Sequence, residues 1–381
     1  MSDSPFLSLP GAVADEGLDA GVAAHYGSPL REQRLLAAGE AVVDLSNRSV
    51  LAVTGADRLS WLDSMTSQRL TGLAPGQAAE TLFLDPSGRI EFDVHALDDG
   101  VTTWLIAERD EAEGIVGWLD KMRFMLRVEV ADRSDEFAVV GYLDAAIEAP
   151  ARTVVQAASP DGVELRWADV WRGVEAGGHQ YAHTDDHPAS RWPWVEAIVE
   201  RSELEALARR AAAGEVVLAG SLAAEALRIE AWRPRFGREV DDRSIPHELD
   251  WLRSAVHLTK GCYRGQETVA KVHNLGHPPR RLVLLHLDGS ESVFAAPGDV
   301  VSVERDGELR AVGTVTSSAI HHELGPIALA VVKRNTDAEA TLLVAAQDTT
   351  IAASQEVIVP SDAGAAVDVP RLPRLGAVTR G

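Results

Sequence analysis

The sequence predicts an α+β protein: two mixed α+β modules within residues 1–277, followed by a small β-barrel over 278–360. The modules divide at roughly 1–135 and 136–277 and are open to interleaving. Three observations predict this. Between residues 50 and 130, short extended and helical runs follow in the order strand, helix, strands, helix, strand, as in a split β-α-β unit of ferredoxin type. Two further helical stretches, 195–213 and 221–232, come after a mostly extended region, 137–175. Past Pro278-Pro279 helical periodicity stops, and short apolar runs alternate with Gly and Asp turns.

Residues 1–40 are Gly/Ala-rich, with a helix predicted over 28–40. A strand is predicted over 50–54, a turn at Gly55, and a helix over 57–65 on Leu59, Leu62 and Met65. Residues 81–84 and 89–97 form a predicted hairpin about Asp85-Pro-Ser-Gly88. In its second strand Ile90, Phe92, Val94 and Ala96 share one face, and Arg89, Glu91, Asp93 and His95 the other. Strand 101–107, helix 111–122 and strand 126–130 follow; 179–193 is a polar loop. The barrel strands are predicted at 281–287, 300–304, 312–317, 327–332 and 341–345, with a flexible Pro/Gly/Ala-rich tail over 361–381.

Composition narrows the function. Hydrophobic residues make up 46% and charged residues 25% of the 381, an ordinary globular balance. The formal charge of −22 argues against nucleic acid as a partner, because phosphate binding needs a positive surface. No apolar run of about 18 residues occurs, so no membrane partner is expected. The start of the chain lacks the basic-then-apolar pattern of a secretory signal, and the single cysteine, Cys262, fits a reducing compartment; a cytoplasmic location is expected. Charge is uneven: between Arg253 and Arg281 lie six Lys/Arg and one acid, Glu267. Such an island is either a site for a small anion or a solvated basic loop.

The densest chemical signal lies inside that island: Lys260-Gly-Cys-Tyr-Arg-Gly-Gln-Glu267. Gly261 and Gly265 permit tight turns and close approach to a ligand. Lys260 and Arg264 can meet a carboxylate, Gln266 can both donate and accept as a pterin edge requires, and Tyr263 offers a flat face with a polar tip. The bland alternative is an interdomain connector with turn glycines.

This motif resembles the signature of the YgfZ-type folate-binding proteins within the aminomethyltransferase (glycine-cleavage T-protein) superfamily. Asp44-Leu-Ser46, Val53-Thr-Gly-Ala-Asp57, Ala226-Leu-Arg-Ile-Glu-Ala231 and Gly313-Thr-Val resemble further segments of that superfamily, while 140–215 matches poorly. The resemblance implies a ring of modules around a folate channel: two ferredoxin-like or α+β folate-binding halves and a C-terminal barrel. It implies a bound tetrahydrofolate or related reduced folate, and a role supporting iron–sulfur cluster assembly or repair, with iron–sulfur client proteins or assembly factors as partners. It points to Arg228, Glu230, Lys260, Gly261, Cys262, Tyr263, Gly265, Gln266 and Glu267 as folate-binding residues. Arg228 is expected to meet the folate glutamate tail, or else to form a helix-surface pair with Glu230. The alternative activity is folate-dependent aminomethyl transfer.

Three departures bear on that alternative. Trp232 stands where the family often has Gly, and is expected to narrow the channel or stack on the ligand. Of the T-protein's adjacent aspartates only Asp93 remains, displaced by Phe92; it either reaches the site or is a solvated strand residue. A loop resembling the T-protein's pterin-binding acidic loop is missing. These leave Cys262 and Asp93 as candidate catalytic residues. Lys260 and Arg264 flank Cys262 and are expected to favour its thiolate, against the alternative of a small buried apolar residue. His179, His183 and His187 recur every four residues, but in a loop, and no metal site is expected.

Overall fold

The computed structural model describes residues 4–146, 149–290 and 293–367. Two five-stranded sheets and a closed six-stranded barrel surround one shared apolar core. The first sheet runs in the order Ala78–Leu84, Ile90–Asp98, Thr102–Ala107, Ser49–Thr54, Glu129–Asp132, all antiparallel. It therefore has one edge strand more than a four-stranded ferredoxin-type unit. The second runs Arg166–Ala168, Trp194–Glu200, Phe137–Leu143, Ala41–Asp44, Val217–Ala219, with only the last pair parallel. Ala41–Asp44 thus belongs to the second sheet, although Ser49–Thr54, five residues further on, belongs to the first.

Both sheets are buried on two faces, which is why their strands are near-continuous apolar runs. Leu51 and Val53 pack outward on the helices Arg58–Met65 and Ala112–Met122, while Val50 and Ala52 pack inward. In the second sheet Ala138, Val140 and Tyr142 face outward toward the helix Arg201–Ala212; Val139 and Leu143 face inward. Gly141 lies between them because a Cβ there would sit 2.4 Å from the Trp194 ring.

This double burial also corrects the helix expected over 195–213. Trp194–Glu200 is a central strand, paired residue for residue with Phe137–Leu143, and the helix begins only at Arg201. A short apolar run buried on both faces has no period that separates strand from helix; here the β-branched Val195, Ile198 and Val199 are the deciding feature.

The barrel closes in the order Arg280–Leu287, Gly325–Lys333, Glu308–His321, Val300–Arg305, Leu342–Ala346, Thr349–Val357, and the last strand pairs back onto the first. The expected strands are present; Thr349–Val357, exposed at alternate positions, completes the closure. Of the tail, 361–367 lies against the helix Gln266–Leu275, with the Ala366 amide on the His273 carbonyl at 2.9 Å. Residues 368–381 lie outside the described residues. No helix among the described residues is long and apolar enough to cross a membrane.

The basic island resolves into internal partners. Arg253 and Arg281 are buried, Lys260 is buried, Arg264 pairs with Glu91 at 2.6 Å, and Arg280 pairs with Asp241 and Glu248. Five of the six cations are thus buried or paired with internal groups.

Candidate functional site

Polar side chains interrupt the inner faces of both sheets at one place. In Ile90–Asp98 a bulge opposite Phe83 and Leu84 turns Ile90 to the shared core, while Phe92, Val94 and Ala96 face outward. Asp93 and His95 therefore point inward, and the single face expected for Ile90, Phe92, Val94 and Ala96 is broken at Glu91. Opposite them, Glu196 takes an inward position between Trp194 and Ile198. These groups wall a cleft of about 720 Å³, mouth included, with Trp192, Trp194 and Phe236 as aromatic walls and Arg48, Arg228, Arg233 and Arg235 among the polar ones.

The charges are pre-arranged. His95 stacks on Trp167 with ring centroids 3.7 Å apart and planes 2° from parallel, and its Nδ1 lies 2.8 Å from Glu196 Oε2. Glu196 also accepts from Trp194 Nε1 at 3.0 Å and pairs with Arg48. Burial opposes its charge, but Arg48 and His95 outweigh burial and hold its carboxyl well below the usual range. Burial likewise opposes a charged His95, and Glu196 outweighs it, raising the imidazole.

Asp93 is the opposite case. It is 8% exposed, its Oδ1 has no partner among the described residues, and its Oδ2 is 3.9 Å from His95 Nε2. Burial first, then the neighbouring Glu80, pushes its carboxyl up to about 8. At neutral pH Asp93 keeps its proton beside an ionised Glu196, a separation of acid roles typical of sites that donate protons or hydrogen bonds. Asp93 is thus not the solvated strand residue of the alternative expectation.

Glu80, Asp93 and His95 have ligand atoms within 4.8 Å of one another, a metal-like spacing. Glu80, however, already accepts from Arg233 at 2.6 Å, Trp251 Nε1 at 2.8 Å and Ser254 Oγ at 2.6 Å. Its charge is matched by a guanidinium, so this donor set fits an ion pair better than a cation. His179, His183 and His187 do not converge: His179 packs on His273 at 4.7 Å, and His187 packs edge-on against Trp171 and Trp232.

Of the residues singled out by sequence, Arg228 and Asp93 line this cleft. Arg228 uses all five donors internally: Glu225 twice, Glu239 at 3.0 Å, Ser317 Oγ at 2.6 Å, and the Arg233 carbonyl. It is buried and ties the helix Ser221–Glu230 to the barrel strand Glu308–His321, so the helix-surface pair with Glu230 does not form. Glu230 instead meets His321 at 3.2 Å. Trp232, buried at a positive φ of 58°, packs against His187 and does not line the cleft.

The segment 260–267 lies apart from the cleft, at the end of the helix Arg58–Met65 and against the turn at Asp85. Lys260 Nζ donates to the carbonyls of Asp63, of Thr66 at 2.8 Å and of Gln68 at 2.7 Å, capping that helix end. Its ammonium sits 5.2 Å from the buried Tyr263 ring, whose hydroxyl has no partner among the described residues. Gln266 Nε2 donates to the Lys260 carbonyl at 3.2 Å. Gly265, at φ 82°, is required because a Cβ would stand 2.6 Å from the Asp85 carbonyl oxygen; its close approach is to backbone. Gly261, Cys262 and Glu267 are exposed. Lys260 and Arg264 are thus both engaged elsewhere, and Cys262 is not buried as the apolar alternative required.

Sequence reasoning missed His95, Glu196, Arg48 and Arg233 as site residues. Glu196 carried a signal: an acid inside Trp-Val-Glu-Ala-Ile-Val, where a two-face-buried strand expects apolar residues. Reading the segment as a helix hid it.

No protein-family model matches the chain. A protein of Arabidopsis thaliana provisionally named a chloroplastic transferase is 28% identical over 289 residues, 73% of this chain and 62% of its own. The chain therefore spans less than two thirds of that relative. An aminomethyltransferase of Corynebacterium jeikeium is 25% identical over 339 residues, 81% of this chain and 83% of its own. The crystal structure of the glycine cleavage system aminomethyltransferase T from Bartonella henselae superimposes with a TM-score of 0.69 at 17% identity, covering 92% of this chain and 94% of that one. The chain has the fold of the glycine-cleavage aminomethyltransferases and is similar in sequence to aminomethyltransferase-type proteins.

Proposed function

We propose that the chain binds a reduced folate, tetrahydrofolate or a close relative, in the cleft between its two sheets, and serves as an accessory protein for iron–sulfur cluster assembly or repair in client enzymes. The folate reading is carried by Asp93: a protonated, unpartnered carboxyl inside an aromatic-walled cleft. A pterin is flat and presents both N–H groups and ring acceptors along its edge. A neutral carboxyl can donate and accept at once, and Trp192, Trp194 and Phe236 offer apolar faces to a ring. The iron–sulfur reading rests on the 260–267 motif and on the exposure of Cys262, since a thiol that handles sulfur or iron must be reachable.

A second reading, aminomethyl transfer, is favoured by the position of Asp93 in the cleft and by the names of the relatives. Against it stands the single aspartate.

Titrating the purified protein with tetrahydrofolate is expected to quench tryptophan fluorescence saturably, because two of the cleft walls are tryptophans. Absence of a saturable change would remove the folate reading. Steady formation of methylene-tetrahydrofolate from an aminomethyl-lipoyl carrier in the same preparation would move the conclusion to the second reading. For the iron–sulfur role, Cys262→Ser is expected to fold and bind folate as the parent does, yet fail to restore iron–sulfur enzyme activity in cells lacking the protein. Full restoration would remove the thiol from the function.

A further inference from the structure

A second cleft, of about 600 Å³ with its mouth, is linked to the first through the Glu80 carboxylate. Glu80 follows Ala79, which lines the second cleft. One oxygen of its carboxylate takes Arg233, a wall of the first cleft, at 2.6 Å; the other takes Ser254 Oγ, a wall of the second, at 2.6 Å. The second cleft is also lined by Arg69, Glu175 and His257.

Its rim is rigidly built. Gly177, at φ 78°, lies directly on the His257 imidazole, where a Cβ would come within 2.4 Å of the ring, and a Cβ on Gly178 would stand 2.7 Å from the Leu252 and Arg253 carbonyl oxygens. The two glycines let this strand of chain lie flush, stitched by the Glu175 amide on the Arg253 carbonyl at 2.7 Å and the Leu258 amide on the Gly177 carbonyl at 2.8 Å. On the other side, Gln68 Nε2 donates to the Ser254 carbonyl at 2.6 Å and its Oε1 accepts from the Arg69 amide at 2.8 Å. The backbones that carry Arg69 and Glu175 are therefore fixed.

The side chains are not paired. Among the described residues, neither the Arg69 guanidinium nor the Glu175 carboxyl has a hydrogen-bond or ion-pair partner, so the two charges share one cleft more than 4.0 Å apart. Arg69 is exposed and Glu175 half-buried, so opposite charges carried on fixed backbone, and not closed on each other, leave a gap open to a ligand with complementary ends. His257 adds a neutral donor, since its Nδ1 accepts from the Thr259 amide at 3.3 Å and leaves Nε2–H free. Burial and the nearby Glu80 raise the Glu175 carboxyl, a bias that an approaching ammonium reverses.

We propose that this second cleft binds a small zwitterion, an amino acid with its carboxylate on Arg69 and its ammonium on Glu175. The proposal does not depend on the folate reading. The test is calorimetric titration of the full chain with glycine, β-alanine and 4-aminobutyrate, with acetate and methylamine as half-ligands. At least one amino acid is expected to bind, neither half-ligand at equal concentration, and both Arg69→Gln and Glu175→Gln to weaken binding about tenfold or more with unchanged melting temperature. Binding by none of the three amino acids overturns the proposal. So does equal binding of a half-ligand, or loss in only one variant, which would mark a simple ion site.

Discussion

Arg228→Met is expected to destabilise the chain by about 3–5 kcal/mol, because it removes one partner of a buried charge network and leaves the others uncompensated. Glu225 and Glu239 lie on either side of the guanidinium, both buried, and Ser317 of the barrel hangs on the same group. Burial pushes Glu225 up, but Arg228 outweighs it and holds the carboxyl near 2, so the variant must either bury that charge alone or protonate it. Methionine preserves much of the volume, which keeps the loss electrostatic rather than steric. Thermal and urea melts measure it; a drop of about 4–6 °C is expected. A variant as stable as the parent but weaker for polyglutamylated folate than for bare pterin would restore Arg228 to a contact with the glutamate tail.

Asp93→Asn is expected to flatten the pH dependence of stability between about pH 4 and pH 8. The folded-state pKa of Asp93, about 8, stands above its unfolded value of about 4. A raised pKa contributes stability that is fully present below the unfolded value and is lost as pH rises through the folded one. The parent therefore loses stability across that window on account of this group, and asparagine, which never ionises, does not. Each pKa unit corresponds to about 1.4 kcal/mol, so the variant gains on the parent by an amount on the order of several kcal/mol by pH 8. Urea midpoints at pH 5, 6, 7 and 8 measure the difference. Parallel profiles would mean that Asp93 is ionised at neutral pH, and the proton-holding role in the cleft would fall with it.

Those variants lie at different depths of legibility. Arg228 was visible because the Leu-Arg-Ile-Glu segment, on a predicted helix end, resembles a segment of the superfamily, but its partners Glu239 and Ser317 lie 11 and 89 residues away, and nothing local encodes their convergence. Asp93 was visible as a polar position in an alternating strand. That it is buried required the second sheet opposite, and Trp194–Glu200, the strand that supplies Glu196, reads locally like the start of a helix. The barrel was legible because Pro278-Pro279 and regular Gly/Asp turns punctuate it. The 260–267 motif was legible as chemistry; the ion pair to Glu91 and the carbonyl cage around Lys260 depend on hairpin and helix ends roughly 170 to 200 positions earlier.

The assignment of Ala41–Asp44 to the second sheet bears on how the chain is made. Its neighbours there are Phe137–Leu143 and Val217–Ala219, so Val42 and Val43 emerge from the ribosome long before either partner exists. At about 5–20 residues per second of synthesis the wait lasts from several seconds to half a minute, long compared with local folding. The first sheet can assemble meanwhile from residues 49–132; the two buried valines gain their first neighbour when residue 143 appears and their second only at residue 219. In a nascent chain the first sheet is therefore complete in sequence well before the second can close.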